Sequence, residues 1–161
     1  MALEIDKKKS SNFKRLYRGA FVYTSNGDHY TEETFEVFKE KKDLNLHYDS
    51  ESLTRVTTGE MLKIKVNFVV NKEWNPVEVN INKTLGPNSV DEIFTYNARK
   101  NTLRYSFRSL HDKKDEEIST PPKFHILTPA TASSMLFINS KKIDQTSKNY
   151  FHMVYSPNMW R

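Results

Sequence analysis

The side chains with the widest chemical scope in this sequence are its histidines, because imidazole titrates near neutral pH. The five are His29, His47, His111, His125 and His152. None of them forms a helical i, i+4 pair or an HExxH pattern, so their spacing predicts no zinc site. His125 and His152 each follow a phenylalanine in an apolar run, a context typical of hydrogen-bonded strand residues. The alternative is that one of them acts as acid or base in an enzyme for a hydrophobic substrate.

The sequence carries no other local signature of catalysis or cofactor binding. It has no cysteine, which excludes a disulfide scaffold, a thiolate zinc site, an iron–sulfur cluster and a cysteine nucleophile. It also lacks a nucleophile elbow around a serine, a glycine-rich phosphate loop, and an isolated pair of carboxylates in an apolar run. We therefore predict no catalytic residues, no metal and no cofactor.

Arginine is the other residue type that could hold a ligand. Arg55 follows Leu53 on the same face of a predicted strand, and this face could point inward. A buried guanidinium needs an anionic ligand or an internal carboxylate as its partner, and the available carboxylates are Glu33, Glu36, Asp91 and Glu92. Arg104 alternates with apolar neighbours and is predicted to face solvent. Together with Arg108 it could bind phosphate, but no RNA-binding pattern surrounds the pair, and a nucleic-acid partner is not favoured.

Positive charge is concentrated at the two ends of the chain. The sequence has 25 Lys and Arg against 20 Asp and Glu, a formal net charge of +5. Residues 1–18 and 121–161 hold the basic excess, which leaves the middle mildly acidic. If the ends meet in the fold they would attract phosphate or an anionic lipid headgroup; otherwise they are solvated tails. Residues 1–12 contain no secretory apolar run, so the sequence leaves the compartment open: the cytoplasm for the chain as given, or the periplasm if a leader has been removed.

The strongest pattern in the sequence is a hydrophobic period of two. In residues 62–71 every even-numbered position is apolar and the odd positions are mostly polar, as in a half-buried strand. The pair Asn26-Gly27, between two such runs, is favoured in a type I′ hairpin turn. Turn residues recur too closely for helical crossovers, so an antiparallel meander is predicted. Its strands are predicted near 16–24, 30–39, 43–57, 61–71, 76–84, 90–97, 102–109, 122–128, 134–139 and 149–156.

Few segments remain for helices or loops. Residues 31–42 carry charges that would suit a helix, but their β-branched and aromatic residues favour a strand. Residues 112–119 are predicted to be a solvated charge run. Residues 128–135 are rich in small hydroxyl side chains and are predicted to form a wide turn, or a loop lining the mouth of a barrel. For residues 140–148 we expect a single helical turn or a loop.

A meander of this length with one apolar face is expected to curl, because twist accumulates and open edges invite aggregation. The predicted fold class is all-β: an antiparallel meander of about 8–10 strands closing into a barrel or half-barrel, with little helix. In architecture alone this plan resembles lipocalin-type and related open-barrel lipid carriers, although no lipocalin G-x-W signature lies near the first strand. Residues 1–12 are predicted to be a disordered basic lead-in, and residues 13–161 a single domain.

Aromatic residues make up 12% of the chain and fall mostly on the predicted strands. They would either line a cavity or fill the interior as a core. We predict a non-enzymatic binding protein whose partner is an apolar or amphipathic small molecule, a lipid or fatty-acid-like ligand. The residues expected to line its site are Tyr17, Phe21, Tyr23, Phe35, Arg55, Phe68, Phe94, Tyr96, Tyr105, Phe107, Phe124, His125, Phe137 and His152.

Apolar residues at consecutive positions, such as Ile93 with Phe94, indicate that part of the second face is apolar as well. That surface needs a cover, which could be a helix, a ligand or another subunit. An interaction or assembly domain that forms a homo-oligomer through its edge strands is therefore a further alternative. No run is long and apolar enough to predict a transmembrane helix.

Overall fold

Eight consecutive strands form one antiparallel sheet, in which each strand pairs with the next along the chain. This fold is seen in a computed structural model that describes residues 6–8, 10–140 and 153–155. The strands of the sheet are β1 (Phe13–Ser25), β2 (Asp28–Glu40), β3 (Leu46–Arg55), β4 (Met61–Val70), β5 (Pro76–Leu85), β6 (Asn88–Asn97), β7 (Thr102–Arg108) and β8 (Lys113–Ser119). They are followed by β9 (His125–Leu127), the helix α1 (Thr131–Ser140) and β10 (Met153–Tyr155). The predicted antiparallel meander is confirmed for the eight strands of the sheet.

Tight turns set the register of this sheet. Asn26 and Gly27 link the paired residues Ser25 and Asp28, and both have positive φ, 52° and 89°. This is the two-residue turn predicted from the sequence, and it favours asparagine and glycine because positive φ is costly for most other residues. The turn before β4 places Gly59 in the same region, with φ of 88°. Each turn fixes which side chains of the next strand face the core.

One face of the sheet, which we call the inner face, carries the hydrophobic core. In β4 the predicted alternation is confirmed, since Ile64, Val66 and Phe68 are buried while Lys65 and Asn67 between them are half-buried. The C-terminal layer (residues 124–140 and 153–155) packs on this face. Each large apolar side chain that becomes fully buried there stabilises the fold by about 1.5–3 kcal/mol. The layer contributes Phe124, Ile126, Ala130, Ala132, Leu136 and Val154 to the core.

The prediction of a strand at residues 134–139 is wrong, because these residues belong to α1. The start of the helix is fixed by a side chain of β2. The carboxylate of Glu33 accepts hydrogen bonds from the backbone N–H groups of Thr131, at 2.9 Å, and Ala132, at 3.0 Å. These are N–H groups that a helix leaves without internal partners. A contact distant in sequence thus starts a helix where the local pattern favours a strand.

The predicted loop at residues 128–135 contains the start of this helix and the turn before it. The Thr128 hydroxyl accepts a hydrogen bond from the N–H of Ala130 at 3.1 Å and donates to Ser133 Oγ at 2.9 Å. Ser133 Oγ donates to the carbonyl oxygen of Ala130 at 2.8 Å. The hydroxyl groups therefore satisfy buried backbone atoms and one another.

The C-terminal strands also differ from the prediction. Residues 122–128 contribute only the short strand β9, and β10 pairs with it in parallel, so this pair is separate from the meander. Of the predicted strand at 149–156, the structure describes residues 153–155. The predicted turn or loop at 140–148 lies outside the described residues, apart from the last residue of α1.

Residues 112–119 were expected to be a solvated charge run, but nearly all of them form β8, which pairs with β7. The strand is mostly exposed, and its charges are tolerated because β8 lies at an edge of the sheet. β1 forms the other edge, and no pairing between the two edges occurs within the described part of the chain. The residues that the structure describes are therefore mostly β with one short helix, and their strands do not close into a barrel.

Candidate functional site

The residues predicted to line a ligand site lie at different depths in the fold. Six are buried in the core: Phe35, Phe68, Phe94, Tyr105, Phe124 and His125. Five are half-buried at its margins: Phe21, Tyr23, Tyr96, Phe107 and Phe137. Tyr17 and Arg55 are exposed, and His152 lies outside the described residues. The structure thus brings most of these side chains to one layer but divides them between the core and its margin.

The centre of the inner face is packed with aromatic rings. Phe94 and Tyr105 have ring centroids 4.9 Å apart, and both residues are 0% exposed. Tyr96 meets Phe124 of the C-terminal layer edge-on, also at 4.9 Å. These are the separations of close aromatic pairs in protein cores. A ligand of this protein would therefore bind nearer the margin of the inner face than its centre.

His125 is enclosed between two rings. Its imidazole stacks on Phe68 at a centroid distance of 5.3 Å and lies 4.9 Å from the ring of Phe137. The residue is 3% exposed, which places it out of reach of a dissolved substrate and does not favour a role as acid or base. Among the described residues, no group of three or more His, Asp and Glu side chains could hold a metal ion.

Arg55 does not face the core. In β3 the inner positions include the buried residues Tyr48 and Ser50, whereas Arg55 ends the strand at an exposed position of the outer face. It shares that face with Leu53, as expected, but the face points to solvent because Leu53 is 42% exposed. The prediction that the Arg55 side chain could point inward is therefore wrong, and Arg55 does not belong to a site on the inner face.

The arginine pair on the outer face of β7 is only partly available to a phosphate. Arg104 is exposed, as predicted. Arg108 donates from Nη2 to both carboxylate oxygens of Asp115 on β8, at 3.0 and 3.1 Å. Hydrogen bonds from Ser106 and Arg108 hold the pKa of Asp115 below its usual value. Asp115 is therefore ionised at neutral pH and already neutralises one of the two guanidinium groups.

Burial of the inner face decreases towards one end of the sheet. The strand register aligns a row of four buried residues: Phe35, Ser50, Val66 and Ile81. Nearer the Asn26-Gly27 turn, the register aligns a row whose five members are all half-buried: Tyr23, Thr31, Thr54, Leu62 and Leu85. We call this end of the inner face the open end. It comprises Tyr23, Leu62 and Leu85 of this row, Phe21 and Lys83 one row nearer the core, and Phe107, which aligns with Ile81 near the end of β7; all six are half-buried.

An ion pair joins Lys83 of the open end to the buried residue Glu92. Lys83 on β5 has its Nζ 3.0 Å from Oε2 of Glu92 on β6. The hydroxyl of Tyr105 on β7 donates to Oε1 of the same carboxylate at 2.7 Å. Such partners are needed because an isolated buried carboxylate would cost several kcal/mol in lost hydration. Glu92 is 0% exposed and the Lys83 side chain is 17% exposed, so the lysine is the more exposed member of the pair.

A second buried carboxylate, Glu33, lies beside the open end and has a structural role. Besides the N–H groups of α1, it accepts a hydrogen bond from the hydroxyl of Tyr23 at 3.0 Å. Burial, together with the hydrogen bond and charge of Glu33, raises the pKa of Tyr23 well above its usual value. The phenol therefore remains protonated and acts as a hydrogen-bond donor. Both groups help to hold α1 on the sheet.

A separate concavity lies on the outer face. It has a volume of about 210 Å³ and is lined by Lys7, Lys8, Phe13, Arg15 and Phe38. Its cations are already paired, since Lys7 contacts Asp49 at 2.9 Å, and Lys8 and Arg15 both contact Glu36. Partial burial alone would raise the pKa of Glu36, but these two cations outweigh it and keep the pKa below its usual value. Two of its five lining residues are apolar, so it offers less surface to a hydrocarbon chain than the inner face does, and this is the weaker candidate site.

Sequence reasoning passed over Lys83 and considered Glu92 only as a partner for a buried arginine. The signal was present, because Lys83 has the parity of buried Ile81, and Glu92 has the parity of buried Phe94. A charged residue within an alternating apolar series indicates a buried partner. No protein-family model, curated protein or solved structure matches the chain.

In the part of the chain that the structure describes, no helix has the length and apolar character needed to cross a membrane.

Proposed function

We propose that the protein binds an apolar or amphipathic small molecule of the fatty-acid type at the open end of the inner face. The observation that supports this is the fall in burial along that face, from a closed core to apolar side chains that are half-buried. In this proposal the sheet and the C-terminal layer act as a lipocalin-like half-barrel. The packed part provides rigidity, and the open end receives the ligand.

The hydrocarbon part of the ligand would lie on Leu62, Leu85 and Phe107. Covering their remaining apolar surface would favour binding by about 25 cal/mol for each Å² removed from water. A polar head would lie beside Lys83, the charged group of the open end that reaches solvent. This arrangement favours an amphipathic ligand over a wholly apolar one, because a hydrocarbon alone would leave the ammonium group against an apolar surface.

Titration with an anthroyloxy-labelled fatty acid tests the proposal. We expect fluorescence enhancement that saturates near one probe per chain. The double substitution Leu62→Ser with Leu85→Ser should weaken binding at least about tenfold, because tenfold corresponds to about 1.4 kcal/mol and two leucines are lost from the contact.

The matched control replaces two exposed apolar residues of the outer face, Leu53→Ser with Ile93→Ser, which are 42% and 39% exposed. This control should bind the probe as the wild type does. Circular dichroism would establish that both double variants keep the β fold. Absence of probe binding to the wild type, or equal weakening in both double variants, would contradict the proposal.

A further inference from the structure

The two edges of the sheet differ in how they are protected against pairing. β8 consists of Lys113–Ser119, and five of its seven residues are charged, with both signs present. Charged side chains on an edge strand oppose the approach of a second strand. β8 is therefore a blunted edge, which explains how it can end the sheet without covering.

β1 carries no such protection in its second half. Residues 19–25 have the sequence GAFVYTS, which contains no charge and no proline. The pairing of β1 with β2 is uninterrupted from Tyr17 to Tyr23 and shifts register beyond it, between Tyr23 and Thr24, so no bulge interrupts residues 19–23. Val22 is 52% exposed in the middle of the segment. β1 pairs with β2 on one side, and on its other side it pairs with no strand among the described residues. A long, flat, uncharged edge of this kind is a template for another strand.

We propose that β1 pairs antiparallel with β1 of a second copy of this chain, about a two-fold axis at Ala20 or Phe21. An axis at Ala20 pairs residues 17–23 with the same residues of the other copy, and an axis at Phe21 pairs residues 19–23 in this way. Such an isologous contact uses one surface twice and closes on itself. It joins the two sheets into one and leaves only the blunted β8 edges exposed.

The charges of β1 select this register. An axis at Ala20 sets Arg18 of one copy opposite Val22 of the other, and an axis at Phe21 sets Arg18 opposite Thr24. An axis at Arg18 would instead set the two copies of that arginine against each other, and like charges directly opposite are destabilising. The charges of the first half of β1, which include Lys14 and Arg15, therefore favour a contact centred in the uncharged second half.

Cysteine cross-linking tests the register directly, because the chain contains no cysteine of its own. Directly opposed residues of antiparallel strands have Cα atoms about 4.5–5.5 Å apart, within the span of a disulfide. Ala20 and Val22 are both exposed, so Ala20→Cys with Val22→Cys should fold, and one of its cysteine pairs is opposed for either axis. Under mild oxidation this variant should form disulfide-linked dimers. Ser119→Cys, on the exposed face of β8, should form no disulfide-linked dimer under the same conditions. Equal cross-linking of the two variants would overturn the proposal.

Sedimentation velocity gives the second measurement. The wild type should sediment as a dimer, and Ala20→Lys with Val22→Lys should lose the dimer at the same concentration, because lysines are brought together at either axis. Glu117→Lys on β8 makes the same change in net charge and should leave the dimer intact. A monomeric wild type, an open-ended assembly, or a dimer that survives the β1 lysines would each overturn the proposal. Circular dichroism would establish that the variants remain folded.

Discussion

Leu44 lies in the turn between β2 and β3 with φ of 60°, a conformation that costs a residue with a Cβ roughly 1–2 kcal/mol. It is 44% exposed, so burial offsets little of this cost. Asparagine tolerates the left-handed region, and Leu44→Asn is therefore expected to raise the free energy of unfolding by about 0.5–1 kcal/mol. Urea denaturation measures this change. Leu110→Asn, at a 78% exposed position without positive φ, is the control, and an equal gain there would contradict the explanation.

His47 on the outer face of β3 should give the stability of the protein a dependence on pH. Burial lowers the pKa of its imidazole, the charge of Lys7 adds to the effect, and Asp49 and Glu40 oppose it. The unfolded chain therefore takes up this proton more readily than the folded chain does. The free energy of unfolding should fall as the pH decreases through about 6.5, and level off below the pKa of the folded state.

The His47→Gln variant should have a flatter stability profile between about pH 7.5 and 5.5, a range above the usual titration of carboxylates. Urea denaturation at several pH values provides the measurement. His29→Gln changes an exposed residue of β2 and should keep the slope of the wild type. If the two variants have the same slope, His47 is not the group responsible.

At the scale of secondary structure, the helix α1 depends on one carboxylate of the sheet. Glu33→Gln keeps the size of the side chain but replaces one acceptor oxygen with an N–H₂ group, which would face an N–H group of the helix. One buried donor then loses its partner, so the free energy of unfolding is expected to fall by about 1–3 kcal/mol. Urea denaturation gives the change, and hydrogen exchange at Thr131 and Ala132 should show that it begins at the helix start.

The neighbouring residue supplies the control for that prediction. Glu32 lies on the exposed outer face of β2, so Glu32→Gln alters the same chemical group without touching α1. It should change stability little and leave the exchange of the helix amides as in the wild type. Equal losses in the two variants would mean that the amide contacts of Glu33 do not stabilise the helix.

The hairpins of the sheet could be predicted because their determinants are local. The alternation in β4 and the Asn26-Gly27 turn are each contained in a few residues, and the structure has both where they were expected. The helix α1 could not be predicted in this way, since the carboxylate that starts it lies 98 positions away from Thr131. β8 was missed because its charges suit solvent, and only its position at an edge makes them compatible with a strand.

The candidate site was predictable in kind but not in extent. Strand parity places Phe94 and Phe107 on the same inner face, so the sequence could indicate an aromatic surface. It could not indicate that Phe94 is buried while Phe107 is half-buried, because that difference depends on how far the C-terminal layer extends over the sheet. The depth of each side chain is a property of the tertiary packing, which a single strand does not encode.

At the scale of the whole molecule, strands that are neighbours in sequence build the sheet, and the last part of the chain builds its cover. All pairings among β1 to β8 join consecutive strands, which lowers the entropy cost of forming them. The C-terminal layer makes its contacts across much longer separations, as the link between Glu33 and α1 shows. The open end is only partly covered by the described residues of the C-terminal layer, and the β1 edge lies at the side of the sheet.

The order of these parts along the chain has a consequence for biosynthesis. A ribosome adds about 5–20 residues per second, so the segment from the end of β8 to the end of α1 takes on the order of seconds to make. During that interval the nascent sheet can form, but the C-terminal layer that covers its apolar inner face has not yet emerged. The nascent chain is therefore at its most vulnerable to misassembly after the sheet has emerged and before residues 124–140 have emerged, and a chaperone would be most useful at that stage.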